Sequence, residues 1–171
     1  MYLLDANVLI TANTQYYPVD RVPEYWDWLR HMAAAGHVKM PIEIYEEVQE
    51  GPNNEKDLVF GWLQEAETKK VILLPDAVDV GLVQMITVNG YASNLTDDQV
   101  DRIGRDPFLI AHGLATGRCI VTVETSAPKK QRHNRKVPDV CDAFGVKWCD
   151  PHKFNRDLDF STAWKKKFDI E

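Results

Sequence analysis

The sequence has no apolar run near the ~20 residues of a membrane-spanning helix. Nor does a charged segment precede an apolar stretch at its N-terminus. We therefore expect a cytoplasmic protein with no membrane partner. Cysteine is also scarce: there are 3, an odd number, without the tight spacing of a metal site. This favours reduced thiols over a disulfide framework or a zinc site.

Positive charge is in the minority. The 171 residues contain 20 Lys and Arg against 26 Asp and Glu, a formal charge of -6, which argues against a polycationic nucleic-acid coat. The imbalance lies in residues 1–80, with six basic and fourteen acidic side chains, whereas residues 81–171 have fourteen and twelve. This distribution suits a protein that gathers carboxylates at one place and phosphate-binding cations at another.

Short apolar segments alternate with helix-like segments along the chain. Strands are predicted at 2–4, 37–40, 71–74, 119–123 and 145–149, and helices at 7–12, 23–35, 41–50, 57–67, 76–88 and 106–117. This alternation predicts an α/β fold, a three-layer sandwich with a central, mostly parallel sheet. We expect residues 1–150 to form this domain and residues 151–171 to be a C-terminal surface extension.

The predicted strands and helices place three carboxylates at one edge of the sheet. Asp5 and Glu124 each follow an apolar strand, and Asp106 begins the helix before the Glu124 strand. Ligand sites in open parallel sheets form outside the carboxyl ends of the strands, so these side chains can converge there. Clustered carboxylates repel one another, and the usual reason to gather them is a hard divalent cation such as Mg²⁺ or Mn²⁺.

Asp106, Glu124 and Asn7, which lies two residues after Asp5, also have simpler explanations. Asn7 and Asp106 are both good helix N-caps, and Glu124 can be a solvated residue at a strand end. Asp5 is harder to explain in this way, because a charge that closes a buried strand needs a compensating partner.

The order of these motifs resembles the PIN domain family, and in particular the ribonuclease toxins of bacterial toxin–antitoxin pairs. The resemblance covers about residues 1–149. It rests on Leu-Leu-Asp-Ala-Asn-Val-Leu-Ile at 3–10 together with the block 106–124. It implies a metal-dependent endoribonuclease that hydrolyses RNA phosphodiester bonds with Mg²⁺ or Mn²⁺ as cofactor. The partners it implies are an RNA substrate, an antitoxin protein and a second copy of the chain.

The resemblance also assigns roles to individual residues. The catalytic carboxylates are Asp5, Glu47, Asp106 and Glu124, of which Asp5, Asp106 and Glu124 are the metal ligands. Asn7, Thr122 and Asp139 are expected to support these ligands or to orient water.

Two of these assignments leave alternatives open. Glu46 is adjacent to Glu47, and Glu43 and Glu50 lie farther along the same predicted helix, so the choice of the helical glutamate that faces the site stays open. Glu124 stands where the family often has Asp, and Asp139 could supply a carboxylate from the following segment instead.

Substrate contact is expected from cations that follow the Glu124 strand. The segment 129–136 has five formal positive charges, which we assign to RNA binding: Lys129, Lys130, Arg132, Arg135 and Lys136. The simpler alternative is a flexible, solvated loop, which is what charge runs usually are.

Two other functions remain open. A phosphatase of the aspartyl-phosphate type would suit a strand that ends in Asp5, although its general acid would stand where this chain has Asn7. A catalytically degenerate PIN domain that binds RNA or a protein without cutting is suggested by Glu124. Covalent catalysis is not expected, because no Ser-His-Asp order or Cys-His pair is apparent.

Overall fold

The structure is a computed structural model that describes residues 1–50 and 57–168. Strands β1 to β4 are Tyr2–Leu4, Val38–Lys39, Cys119–Val121 and Trp148–Cys149. Helices α1 to α11 are Ala6–Thr11, Pro23–Ala34, Ile42–Glu50, Leu58–Gln64, Ala66–Ile72, Val80–Ile86, Asp97–Ile103, Asp106–Thr116, Val137–Phe144, Pro151–Asp157 and Trp164–Lys167. Helices α1 and α6 continue as π-helical turns, Ala12–Tyr16 and Thr87–Tyr91, and a 3₁₀ turn spans Arg132–Asn134.

The four strands form one parallel sheet in the order β2-β1-β3-β4. The central strands are short and fully apolar on both faces, with Leu3, Leu4, Ile120 and Val121 completely buried. Helices flank this sheet, which confirms the predicted α/β fold with a central parallel sheet, in keeping with a three-layer sandwich. Because all strands run in the same direction, their carboxyl ends meet at one edge.

Helix α8 packs closely onto the sheet. Gly113 lies where α8 crosses β3, and a Cβ atom there would meet Val146 Cγ1 at 2.8 Å and Ile120 Cδ1 at 3.0 Å. Only glycine allows the helix to lie this close to the strand. This contact fixes the distance of α8, and therefore of Asp106 at its N-terminus, from the sheet.

The segment after residue 150 contributes to the core. Phe154 is completely buried, and its ring packs edge-on against Tyr2 at 5.2 Å and Trp28 at 5.7 Å between centroids. Trp164 is also buried, at 3% exposure, and packs on His31. The expected surface location is wrong for these two aromatic side chains, because burying their large apolar area outweighs the polar character of the segment around them.

One predicted strand is absent from the described residues. Residues 71–74 were expected to be a strand, but α5 continues to Ile72, and only a single parallel bridge joins Met40 to Leu73. The helix-forming residues before Val71 extend the helix into this apolar segment. No helix in the described part of the chain is long and apolar enough to cross a membrane.

Candidate functional site

Asp5 lies at the carboxyl end of β1 and is the N-cap of α1. Its side chain accepts hydrogen bonds from the Asn7 backbone N–H at 3.4 Å and from the Thr122 hydroxyl at 2.8 Å. Burial raises the pKa of Asp5, these hydrogen bonds lower it, and the negative charge of Glu124 raises it further. Asp5 is therefore a buried carboxyl, 4% exposed, next to another acid.

Asp106 is the first residue of α8, and Tyr91 donates its hydroxyl to Asp106 Oδ2 at 3.3 Å. Burial raises the pKa of Asp106 well above its usual value, and the charges of Asp5, Glu124 and Glu47 raise it further. The charges of three acids from other elements therefore reach Asp106. Such mutual repulsion is expected where a protein keeps a place for a cation.

The N-cap explanations do not apply to Asn7 and Asp106. The N-cap of α8 is Arg105, and Asp106 lies inside the helix, where its side chain accepts from Tyr91. The N-cap of α1 is Asp5, which leaves Asn7 as an exposed helical residue whose backbone N–H is used in the cap. The expected support of Asp5 by Asn7 therefore comes from its main chain.

Glu47 reaches the cluster from α3. Partial burial raises its pKa, and so does the charge of Asp5, whereas Arg105 lowers it. Glu46 and Glu47 are both exposed on this helix, but the charge that raises the pKa of Asp106 is that of Glu47. The structure therefore favours Glu47 over Glu46 as the helical glutamate of the site.

Both carboxylate oxygens of Glu124 are already bound by protein groups. Lys136 Nζ lies 2.5 Å from Oε1, and the Val137 backbone N–H donates to Oε2 at 2.8 Å, at the start of α9. Glu124 also donates its backbone N–H to the Thr122 hydroxyl at 3.2 Å. The Thr122 side chain thus connects Asp5 to the segment that carries Glu124.

The carboxylates form an open cluster. Within residues 1–50 and 57–168, no three His, Cys, Asp or Glu side chains are grouped so that they could hold a metal ion as they stand. The donor chemistry itself fits a hard divalent cation, because all candidate ligands are carboxylate oxygens that lack enough compensating charge.

Asp139 is not part of the acidic cluster. Its oxygens accept from the Ser126 hydroxyl at 2.6 Å and from the Ala127 backbone N–H at 2.9 Å. Burial acts to raise the pKa of Asp139, but these hydrogen bonds outweigh it and lower the pKa. Asp139 fixes the segment after Glu124, and a role for it in the site stays a prediction.

Three of the five predicted RNA-binding cations are bound within the protein. Lys136 pairs with Glu124, and the two arginines hold the segment 129–136 against the segment that contains Thr87–Tyr91 and α7. Arg132 donates to Asn94 and Gln99, and Arg135 donates to the Gly90 and Asp139 carbonyls. These arginine contacts use donor groups that RNA phosphates would need.

Lys129 and Lys130 remain as candidates for phosphate contact. Both side chains are exposed, and neither has a partner among the described residues. The prediction assumed that all five cations of the segment 129–136 are available to RNA. Among the described residues, only these two are exposed and without a partner.

Tyr91 is a site residue that the sequence did not reveal. It ends the π-helical turn Thr87–Tyr91, and π-helical turns are often found at functional sites. At the preceding Gly90, a Cβ atom would lie 2.8 Å from Val140 Cγ1, so glycine lets this turn pack against α9. Asn89-Gly90 is a turn-forming pair, and such a pair does not indicate where the hydroxyl of the following tyrosine lies.

A buried polar pair lies on the same two helices as Glu47 and Asp106. His112 Nε2 of α8 is 3.3 Å from Glu43 Oε2 of α3, with both residues buried. His112 is therefore a hydrogen-bonded histidine of the helix interface. The pair joins the helices one turn or more away from the site carboxylates.

A family described as "Domain of unknown function (DUF4411)" matches residues 2–162. This match covers nearly the whole chain, so the protein belongs to this family. No curated protein matches the chain.

Proposed function

We propose that this member of the DUF4411 family is a metal-dependent endoribonuclease that hydrolyses RNA phosphodiester bonds. The observation that supports this proposal is that the charges of Asp5, Glu47 and Glu124, from three separate parts of the fold, all raise the pKa of the buried Asp106 carboxyl. The reaction follows from the resemblance of the same residues to PIN domains. The role as a cytoplasmic toxin, with an antitoxin partner or as a homodimer, follows from that resemblance alone.

The residues that would hold Mg²⁺ or Mn²⁺ are drawn from these four acids. When bound, the ion supplies a Lewis acid that polarises a phosphate oxygen and lowers the pKa of water. The protein holds both oxygens of Asp5, since the Asn7 backbone N–H binds its Oδ1, and one oxygen of Asp106. Thr122 binds Asp5 Oδ2 and Tyr91 binds Asp106 Oδ2, which leaves Asp106 Oδ1 without a protein partner in the described ranges. These contacts orient the two carboxylates in advance.

Lys129 and Lys130 are the cations available to the RNA backbone. They are exposed and lie in the segment that follows Glu124. Contacts of this kind attract a polyanion without reading its sequence, and their strength falls as salt concentration rises. We therefore expect RNA binding that is weak in sequence preference and sensitive to salt.

The test is cleavage of single-stranded RNA by the full chain with Mg²⁺, with Mn²⁺ and in EDTA. We expect cleavage only with metal, and a loss of at least ~100-fold in Asp5→Asn and in Asp106→Asn, since each removes a carboxylate that would hold the ion. Asp101→Asn is the matched control, because Asp101 is an exposed residue of α7. Equal cleavage in EDTA, or full activity of both site variants, would contradict the proposal.

A second candidate is a degenerate PIN-like domain that binds RNA or a protein without cutting. The pairing of Glu124 with Lys136, and the open spacing of the acids within the described residues, favour it. Calorimetry with Mn²⁺ separates the two functions. A chain that binds RNA, yet neither binds Mn²⁺ nor cleaves, supports the second candidate.

A further inference from the structure

We infer that the ring of Tyr16 is a stacking platform for one base of single-stranded RNA, at the edge of the sheet that bears the candidate site. This inference rests on the proposed function and names the form of RNA that the site would take. It adds a contact with a base to the phosphate contacts expected of Lys129 and Lys130. The bases of duplex RNA are already stacked on one another, so a duplex could not use this platform.

The first support is the position of Tyr16. This residue ends the π-helical turn Ala12–Tyr16, and its side chain lines a small cavity together with Val123 and His152. Val123 comes after the end of β3 and directly before Glu124, and His152 comes after the end of β4. Because the strands are parallel, their carboxyl ends form the edge that bears the candidate site. The Tyr16 ring therefore lies at this same edge.

The second support is that the ring is exposed and yet held in place. Tyr16 is 48% exposed. Its ring packs edge-on against His152 at 5.5 Å and lies tilted against Tyr17 at 6.3 Å between centroids. The Tyr17 ring is itself stacked at 4.4 Å on the buried Tyr25. These contacts restrict the Tyr16 ring without burying it, so a base that stacks on it costs little further side-chain entropy.

The backbone that carries the ring is also fixed. The Tyr17 backbone N–H donates to the Ala12 carbonyl at 2.6 Å and closes the π-helical turn. The Tyr17 carbonyl accepts the Trp26 indole N–H at 2.8 Å, which ties the end of this turn to α2. An aromatic ring on a fixed backbone binds its ligand at a lower entropic cost than one on a freely moving loop.

The surroundings of the ring favour a base over a protein partner. Thr14 and Gln15 directly precede Tyr16, and both are exposed polar residues, as is His152 on the other side of the ring contact. The core of a protein interface needs several neighbouring apolar side chains and few polar ones. A single base needs one open ring to stack on, with polar groups nearby that can contact its edge or the adjoining phosphates.

The test is binding of a fluorescein-labelled single-stranded RNA of mixed sequence to the full chain, followed by fluorescence anisotropy in EDTA. Tyr16→Ala should bind this RNA about tenfold more weakly than wild type, because it removes the stacking surface. Tyr16→Phe keeps the ring and should stay within about threefold of wild type. This second variant also shows that the loss in Tyr16→Ala is a property of the ring and not of the hydroxyl.

Phe168→Ala is the matched control. Phe168 is also an exposed aromatic residue, but it lines a different cavity together with His37, which directly precedes β2 at the opposite edge of the sheet. Its replacement should leave the RNA affinity unchanged. Equal losses in Phe168→Ala and Tyr16→Ala would overturn the inference.

A blunt duplex of the same RNA with its complement separates stacking from a general effect on binding. Tyr16→Ala should bind the duplex within about twofold of wild type, because no base of the duplex reaches the ring. An equal loss for both forms of RNA would overturn the inference, and so would unchanged affinity for the single strand. If the single-strand affinity is unchanged and Tyr16→Ala turns a dimer into a monomer in size-exclusion chromatography, Tyr16 contacts a second copy of the chain instead.

Cleavage with Mn²⁺ distinguishes failure of this inference from failure of the proposed function. Tyr16→Ala should raise the KM for single-stranded RNA about tenfold and leave kcat unchanged, since stacking away from the reacting phosphate contributes to binding of substrate and transition state alike. A wild-type chain that neither binds nor cleaves RNA would overturn the proposed function itself. Wild-type cleavage with the same KM in Tyr16→Ala would overturn only this inference.

Discussion

Replacing Asp106 by asparagine should make the metal-free protein more stable while removing its metal binding. The carboxylate is partly buried and faces the charges of Asp5, Glu124 and Glu47, all of which raise its pKa. Each unit by which a pKa is raised costs ~1.4 kcal/mol of stability when the group is ionised. Asparagine is neutral and can still accept the Tyr91 hydroxyl, so we expect a gain of about 1–3 kcal/mol. For a chain of this size, that corresponds to about 2–12 °C in melting temperature.

The gain should depend on pH in a defined direction. Because the pKa of Asp106 is raised in the folded state, the folded chain holds this proton more tightly than the unfolded chain does. Wild-type stability therefore falls as pH rises from the ordinary aspartate range through the raised pKa. The advantage of Asp106→Asn should be largest at pH 8 and disappear near pH 4, where wild-type Asp106 is protonated.

Thermal unfolding followed by circular dichroism in EDTA measures both effects. Asp101→Asn is the control, because Asp101 is exposed on α7 and should show no comparable gain at pH 8. Added Mn²⁺ should raise the melting temperature of wild type, because an ion that binds the folded chain stabilises it. It should leave the melting temperature of Asp106→Asn unchanged, because this variant is expected not to bind the ion. An Asp106→Asn protein that is less stable than wild type at pH 8, or equally shifted at both pH values, would refute the electrostatic reasoning.

Four further substitutions test other parts of the structure. Tyr91→Phe removes the hydroxyl that holds Asp106 and should weaken Mn²⁺ binding about tenfold by calorimetry; unchanged affinity would contradict this role. Arg132→Ala should lower the free energy of unfolding by about 1–3 kcal/mol in urea, because it removes the hydrogen bonds to Asn94 and Gln99. Lys130→Ala should leave the free energy of unfolding unchanged and should reduce the salt dependence of RNA binding. Phe154→Ala should cost about 3–5 kcal/mol in the same urea experiment, and a cost below ~1 kcal/mol would contradict its place in the core.

The parallel sheet and the position of Asp5 could be predicted because their signals are local. A run of apolar residues that ends in a carboxylate marks β1, and a β-branched run marks β3. The capping box formed by Thr96 and Gln99 at the start of α7 is a local feature of the same kind. Each of these features depends on residues within a few positions of one another, so neighbouring sequence is sufficient to identify them.

The prediction for residues 71–74 failed because an apolar run of that length suits either a strand end or a helix end. Helix α5 begins at Ala66 and continues to Ile72, where Met40 and Leu73 then form the only bridge in that region of the described chain. The choice between the two structures depended on the packing of α5 against neighbouring elements, which propensity cannot determine.

The sequence alone determined where the candidate functional residues stand along the chain. Acids stand at strand ends and helix starts, and a basic segment follows the last of these acids. Only the tertiary structure decided how they are used. It directed Arg132 to Asn94 and Arg135 to the Gly90 carbonyl, both far away in sequence, and it paired Lys136 with Glu124. Charge and hydrogen bonding act through space, so whether a cation meets RNA, a carbonyl or a carboxylate depends on which groups folding brings within reach of it.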